Sequence, residues 1–245
     1  MKQHLFSLVT TLMGAFGFLS CGAQQTVGDD IFTTYNGKVI RIVPYYHACL
    51  MIDCDGYKIQ VDPVANAQYS YNNVESTSLI LITHEHGDHF NKSTIAKLRG
   101  ADTKIIANPN VAKQLEGSQA MSNGDTLTLA NGTHIKAVPA YNITPGHTQY
   151  HPKGRDDGYI IIVDDLTIYV AGDTEDIGEM ADLKGKVDIA FLPCNQPYTM
   201  TPEQLVKVAR IIQPKILYPY HYGDTDFSGV AAQLGGIDVR MRGMK

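Results

Sequence analysis

Ser78-Leu79-Ile80-Leu81-Ile82-Thr83-His84-Glu85-His86-Gly87-Asp88-His89 is the stretch that decides the reading of this chain. A run that is apolar at successive positions predicts a strand covered on both faces. At its end His84, His86, Asp88 and His89 put four metal-ligating side chains into six positions, although the chain holds only nine histidines. Neutral imidazoles and an ionised carboxylate packed against a buried strand would be costly without a cation to hold them. In extended backbone His84 and His86 project to one side, and a turn at Gly87 redirects Asp88 and His89. The spacing therefore predicts a cradle for a pair of ions rather than one.

A local cluster cannot complete two coordination spheres, so other strand ends must contribute. Gly172-Asp173-Thr174 follows the strand-like Leu166–Ala171, and Asp173 can set a carboxylate between the ions. Pro219-Tyr220-His221-Tyr222 puts His221 after Lys215–Tyr218. His147 and His151 share the loop after Val138 and compete for one position. His47, Tyr198 and Tyr222 also fall near strand ends, where they would stabilise an oxyanion or protonate a leaving group.

Working outward, alternating residues and turn signals predict strands at Val39–Val43, Ala48–Ile52 and Lys58–Val61, with Asp55-Gly56 as a hairpin turn. Helices are expected at Ser93–Leu98 and Pro109–Leu115, separated by a short strand, Lys104–Ala107. A second β-rich half follows: Thr126–Leu129 turns at Asn131-Gly132 into His134–Val138, and Tyr159–Val163 turns at Asp164-Asp165 into Leu166–Ala171. Val187–Leu192 is then a strand, Thr201-Pro202-Glu203-Gln204 opens a helix with a capping box, and the tail closes with a helix and an edge strand. Asp29-Asp30 and Asp156-Asp157 read as solvated linker or turn. Each half thus offers strands followed by strand–helix units, which predicts an α/β fold, a four-layer αββα sandwich.

The 245 residues, 44% hydrophobic and 18% charged, suit a globular protein with a sizeable core. A net charge of −5 without a Lys/Arg cluster gives no track for nucleic-acid phosphates, so no nucleic-acid partner is expected. Residues 1–23 have the anatomy of an export signal: Lys2, an apolar Leu5–Leu19, then the small residues Ser20-Cys21-Gly22-Ala23. Residues 24–36 read as a linker and 37–245 as the functional domain. Leu19-Ser20-Cys21-Gly22 resembles a bacterial lipoprotein box with Cys21 as the lipidated residue, and cleavage after Ala23 competes with it. Either outcome predicts export to the periplasm or a lipid anchor on the cell envelope. Cys49, Cys54 and Cys194 then remain, an odd number in no dense pattern, and read as packing thiols.

Together, Thr83–His89, Gly172-Asp173-Thr174 and Pro219–Tyr222 resemble the motifs of the metallo-β-lactamase superfamily. The resemblance spans about Val39 to Tyr222. His47-Ala48, Val61-Asp62-Pro63, Ala140-Tyr141-Asn142, His151-Pro152-Lys153-Gly154 and Pro197-Tyr198-Thr199-Met200 are similar to the branch with ascorbate-6-phosphate lactonase-like and N-acyl-phosphatidylethanolamine phospholipase D-like proteins. It implies His84, His86 and His151 on one ion, Asp88, His89 and His221 on the other, and Asp173 bridging. His151 is favoured over His147 because it adjoins the Pro-Lys-Gly run, which leaves His147 as an exposed loop residue. It further implies two divalent ions, Zn²⁺ first with Mn²⁺ or Fe as alternatives. Asp88 would orient a metal-activated water, and acceptors such as Asp62 or backbone carbonyls would fix the second ring nitrogens of the histidines. Lactam hydrolysis is disfavoured, since several lactam-cleaving subclasses carry Cys or Ser where this chain has Asp173.

The expected activity is therefore metal-dependent hydrolysis of a phosphodiester, lactone or other ester, small or lipid-like. Two classes compete: an iron-dependent oxidoreductase of the same fold, and a non-catalytic metal-binding lipoprotein.

Overall fold

The computed structural model describes residues 28–67, 69–74 and 77–245, so the expected export signal, with Cys21, lies outside the described residues. The doubly covered strand is β5 (Thr77–Ile82), and its alternation divides two cores. Leu79 and Leu81 join the main hydrophobic cluster between two sheets, whereas Ile80 and Ile82 pack with Ile95, Leu98 and Val111 beneath outer helices. These four side chains of β5 are each 0% exposed.

Around β5 the first sheet runs in spatial order β1 (Asp30–Thr33), β2 (Val39–Tyr46), β3 (Cys49–Cys54), β4 (Tyr57–Val61), β5, β6 (Arg99–Ala107), β7 (Gln119–Ala120). Pairing is antiparallel as far as β4 and parallel beyond it. The second sheet, β8 (Thr126–Thr128), β9 (His134–Ala140), β10 (Asp156–Val163), β11 (Leu166–Val170), β12 (Ile189–Pro193), β13 (Ile216–Tyr220) and β14 (Asp238–Val239), repeats that rule: antiparallel to β11, then parallel. Helices α1 (Lys92–Leu98) and α2 (Pro109–Ala112) cover the first sheet. A 3₁₀ helix (Gly178–Leu183), α3 (Pro202–Ile212) and α4 (Val230–Gln233) belong to the second half. The architecture is the α/β sandwich expected.

Local chemistry explains the punctuation. Asp55 and Gly56 both take positive φ, 54° and 90°, as the two-residue primed turn between β3 and β4 requires. Thr201 and Gln204 exchange the two bonds of a capping box at the start of α3, with Pro202 in its first turn. Cys49, Cys54 and Cys194 are buried free thiols. Among the described residues no helix is long and apolar enough to cross a membrane.

The structure corrects the sequence reading in three places. The linker expected at 24–36 contains β1: Asp30 is held by Arg240 at 2.8 Å, by Arg242 at 2.8 Å and by the Tyr218 hydroxyl at 2.5 Å, which pins this edge strand to the second half. The helix expected from Pro109 to Leu115 stops at Ala112. Asp156 and Asp157, expected in a solvated turn, are buried at the start of β10. Two carboxylates just before an apolar strand look like a turn in sequence; here β10 pairs from Asp156 onward with β9.

Asp157 carries a penalty for that burial. One carboxylate oxygen accepts a bond from Asn123, the other has no partner, and burial pushes its pKa up to about 7. A folded-state value above the ordinary carboxyl value of about 4 means that the native state binds more protons between pH ~4 and ~7. Stability contributed by this group is therefore lost as pH rises through that window. Asp157→Asn should be more stable than wild type by roughly 1–4 kcal/mol above pH 7, with the advantage vanishing below pH ~4; urea unfolding across pH measures it.

Candidate metal centre

The candidate ligands, and the carboxylate of Asp62 behind them, sit where strands of the two sheets end. Thr83–His89 leaves β5, Asp62 follows β4, Asp173 follows β11, and His221 follows β13. Gly172 makes the approach of Asp173 possible: its φ is +67°, and a Cβ there would lie 2.6 Å from the Asp157 carbonyl oxygen. Only glycine lets the chain turn Asp173 inward at that point.

Three groups of candidate ligand atoms result, each with its members within 4.8 Å of one another: His84, His86 and His151; His84, His89 and Asp173; and His47, Asp88, His89 and His221. His84 Nε2 lies 3.1 Å from His86 Nδ1. Asp173 spans the groups: its Oδ1 is 3.4 Å from His89 Nε2, and its Oδ2 is 3.4 Å from His151 Nε2 and 3.2 Å from His221 Nε2. Asp88 Oδ2 stands 3.6 Å from His221 Nε2 and 4.0 Å from His89 Nε2. Tetrahedral coordination with bonds of ~2.0–2.1 Å places ligand atoms ~3.3–3.4 Å apart, so these edges are close to those of a metal polyhedron.

The buried polar atoms support the same fit. His89 Nε2, His221 Nε2 and Asp173 Oδ1 are buried with no hydrogen-bond partner, an arrangement that costs on the order of 1–3 kcal/mol per group unless something binds there. Burial and the adjacent His89 hold His84 well below the usual imidazole range. At His89 and His221 burial acts in the same sense, but the carboxylates outweigh it: Asp173 and Asp62 push His89 well up, and Asp173 with Asp88 brings His221 to about 9. The carboxylates thus draw positive charge to the two rings that a cation would sit beside.

An outer ring of oxygens orients the histidines. Asp62, fully buried, accepts the Thr83 N–H at 2.8 Å, the Thr83 hydroxyl at 2.7 Å and His89 Nδ1–H at 2.8 Å. Thr83 Oγ1 in turn accepts from His84 Nδ1 at 3.0 Å, so one carboxylate sets two rings with Nε2 inward. His151 Nδ1–H donates to Asp156 at 2.9 Å, and Arg155 clamps that carboxylate at 2.6 and 2.8 Å. Glu85, the remaining acid of the histidine-rich loop, meets Arg155, Asn108 and Asn110 at 3.3–3.4 Å and ties the loop to its neighbours.

The structure places the other named residues as follows. His147 lies outside the ligand groups; it is partly buried and donates from Nδ1 to the buried Glu175 at 3.0 Å, where an exposed loop position was expected. Glu175 also accepts the Ile143 and Thr144 N–H groups at 2.7 and 2.6 Å, which is why the loop folds back and holds His147. Tyr198 is exposed, with its ring edge-on to that of Tyr150. The Tyr222 hydroxyl, considered as an acid, is engaged by the Arg242 carbonyl in the packed tail. Asp156 was missed; the signal was a carboxylate five residues after a candidate histidine.

Asp156→Asn keeps the shape beside His151 and removes the negative charge that accepts its Nδ1–H. Chelator competition should show transition-metal affinity at the His84–His86–His151 group lowered ~10–100-fold, with an unchanged far-ultraviolet dichroism spectrum.

The sequence of residues 41–221 matches the β-lactamase superfamily domain. A UPF0173 metal-dependent hydrolase of Thermococcus kodakarensis is 35% identical over 190 residues, 72% of this chain and 81% of the relative. The crystal structure of a candidate metal-dependent hydrolase from Parabacteroides distasonis is 50% identical, with a TM-score of 0.86 over 89% of this chain and 100% of that one. Igni18, a metallo hydrolase from Ignicoccus hospitalis, shares the fold at 24% identity and a TM-score of 0.68, over 82% of this chain and 94% of its own. With two mixed sheets, a rim of inward-facing histidines and these relatives, the chain belongs to the β-lactamase superfamily as a metal-dependent hydrolase of the metallo-β-lactamase fold.

Proposed function

We propose that this protein is an exported dinuclear hydrolase, with zinc as its natural metal, that cleaves a phosphodiester, lactone or other ester. The observation that carries the reading is Asp173, whose two oxygens face different histidines: Oδ1 toward His89, Oδ2 toward His151 and His221. A carboxylate so placed belongs to two ligand sets at once. His84, His86 and His151 would hold one ion, Asp88, His89 and His221 the other. Divalent ions bound there would acidify water toward a pKa of ~7 and offset charge growing on a substrate oxygen.

The chain's own groups then divide the remaining work. Asp88 has a half-exposed carboxylate, so it faces the open side, where it would accept a hydrogen bond from a water O–H and orient that water. Asp173, 2% exposed, holds the two ligand sets at fixed separation and is shielded from water. Asp62 and Asp156 keep the rings turned, so little reorganisation is left for the reaction itself.

Export rests on residues 1–23, with a lipidated Cys21 as the membrane anchor; no nucleic-acid partner enters the proposal.

Metal analysis of purified protein should return two equivalents of transition metal. A panel of bis-p-nitrophenyl phosphate, lactones and thioesters should give turnover with at least one class, lost on chelation and lowered ~100-fold or more in Asp88→Ala. Turnover equal in wild type and Asp88→Ala, or no turnover by metal-replete protein, would sink the hydrolytic reading. For the anchor, Cys21→Ala should move the full-length protein from the membrane fraction to the soluble envelope fraction; unchanged fractionation refutes lipidation.

A further inference from the structure

The group of His47, Asp88, His89 and His221 has a member that the bridging scheme leaves unused. His47 sits at the turn between β2 and β3, outside the histidine-rich loop in sequence. Its Nε2 is 3.1 Å from Asp88 Oδ2, the same oxygen that faces His221 and His89. Its ring lies against that of His221, with centroids 3.8 Å apart. We infer that His47 is a further metal ligand, bound through Nε2 at the Asp88–His89–His221 position and oriented from behind by the main-chain oxygen of Lys245.

Three features build this arrangement. Both His47 and His221 adopt left-handed backbone, φ 55° and 48°, at a cost of roughly 1 kcal/mol or more each that persists where surrounding structure enforces it. The enforcing contact is mutual, since His221 N–H donates to the His47 carbonyl at 3.1 Å. On the outer side His47 Nδ1 lies 3.0 Å from the Lys245 oxygen. A ring whose Nδ1–H donates to a main-chain oxygen presents its Nε2 lone pair on the opposite side, as metal-bound imidazoles commonly do.

The tail is held so that it can perform this task. Met244 is fully buried, its carbonyl accepts the Tyr222 N–H at 3.4 Å, the Arg242 carbonyl takes the Tyr222 hydroxyl, and Lys245 Nζ pairs with Asp224 at 3.1 Å. Residues 242–245 therefore act as a strap that reaches His47 from outside the two sheets. With His47 included, the second position has four side chains besides the shared Asp173, against three at the first.

The inference rests on the dinuclear reading, and the test separates the two. In wild-type protein carrying ¹⁵N-labelled histidine and loaded with ¹¹³Cd²⁺, six imidazoles should show a direct ¹¹³Cd–¹⁵N coupling: those of His84, His86, His89, His151, His221 and His47. With Co²⁺, His47→Gln should lose one hyperfine-shifted exchangeable imidazole proton and bind the second ion at least ~10-fold more weakly, with the first ion unaffected. Five coupled imidazoles in wild type, with His47 the one missing, overturn the assignment while leaving the metal centre intact. Protein that takes up no cadmium or cobalt overturns the metal centre and this inference with it. The coupling experiment needs no variant, so a misfolded His47→Gln would not protect the inference.

Discussion

One buried carboxylate, Asp62, is the constraint on which the centre depends. It lies at the end of β4 in left-handed backbone, φ 44°, and takes three hydrogen bonds from Thr83 and His89. Through the Thr83 hydroxyl it also fixes His84, so two of the rings are set before any ion arrives. An ionised group with no solvent contact persists only if its oxygens are satisfied, and here the bonds that satisfy it are the ones that aim the histidines. Stability of the β4–β5 junction and geometry of the centre are the same interaction.

The second sheet meets this junction through backbone and hydroxyl contacts. Asp157 N–H donates to the Thr83 carbonyl at 3.1 Å, and the Tyr159 hydroxyl donates to that of Ile82 at 2.8 Å. The end of β5 is thereby pinned from both sheets, and the loop that leaves it has little freedom to wander. Both sheets are antiparallel for their first half and parallel thereafter, so Asp62 after β4 and Asp173 after β11 occupy corresponding places. One carboxylate orients rings from outside, the other lies between the ligand sets.

The electrostatics explain why the centre can be both buried and stable. Carboxylates at Asp62, Asp88, Asp156 and Asp173 face five or more imidazoles, and each ring nitrogen turned away from the centre, save Nδ1 of His221, finds an oxygen or open space. Unpartnered atoms collect on the inner side, at His89, His221 and Asp173. A polar cluster satisfied on its outside and unsatisfied within is arranged for a cation, because its preorganised lone pairs converge where charge would otherwise be missing.

The alternation of β5, the six-residue histidine cluster, the hairpin at Asp55-Gly56 and the capping box at Thr201 were all legible along the chain, because each depends on neighbours no more than a few residues away. The histidines, Asp88, Asp173 and His221 announced themselves for the same reason: their residue types stand at the ends of recognisable strands. What the linear order could not contain were contacts set by folding. Asp156 reads as a turn acid until β10 packs it behind His151; the chain separates His151 from His147 only by the Pro-Lys-Gly run beside it, and the fold adds the physical reason, Glu175 holding His147 and Asp156 backing His151. Asp30 looks like linker until Arg240 and Arg242, more than two hundred residues away, neutralise it. Local patterns thus determined the elements and the candidate ligands, whereas tertiary structure alone decided which carboxylate stands behind which ring, since buried charges choose partners by distance in space.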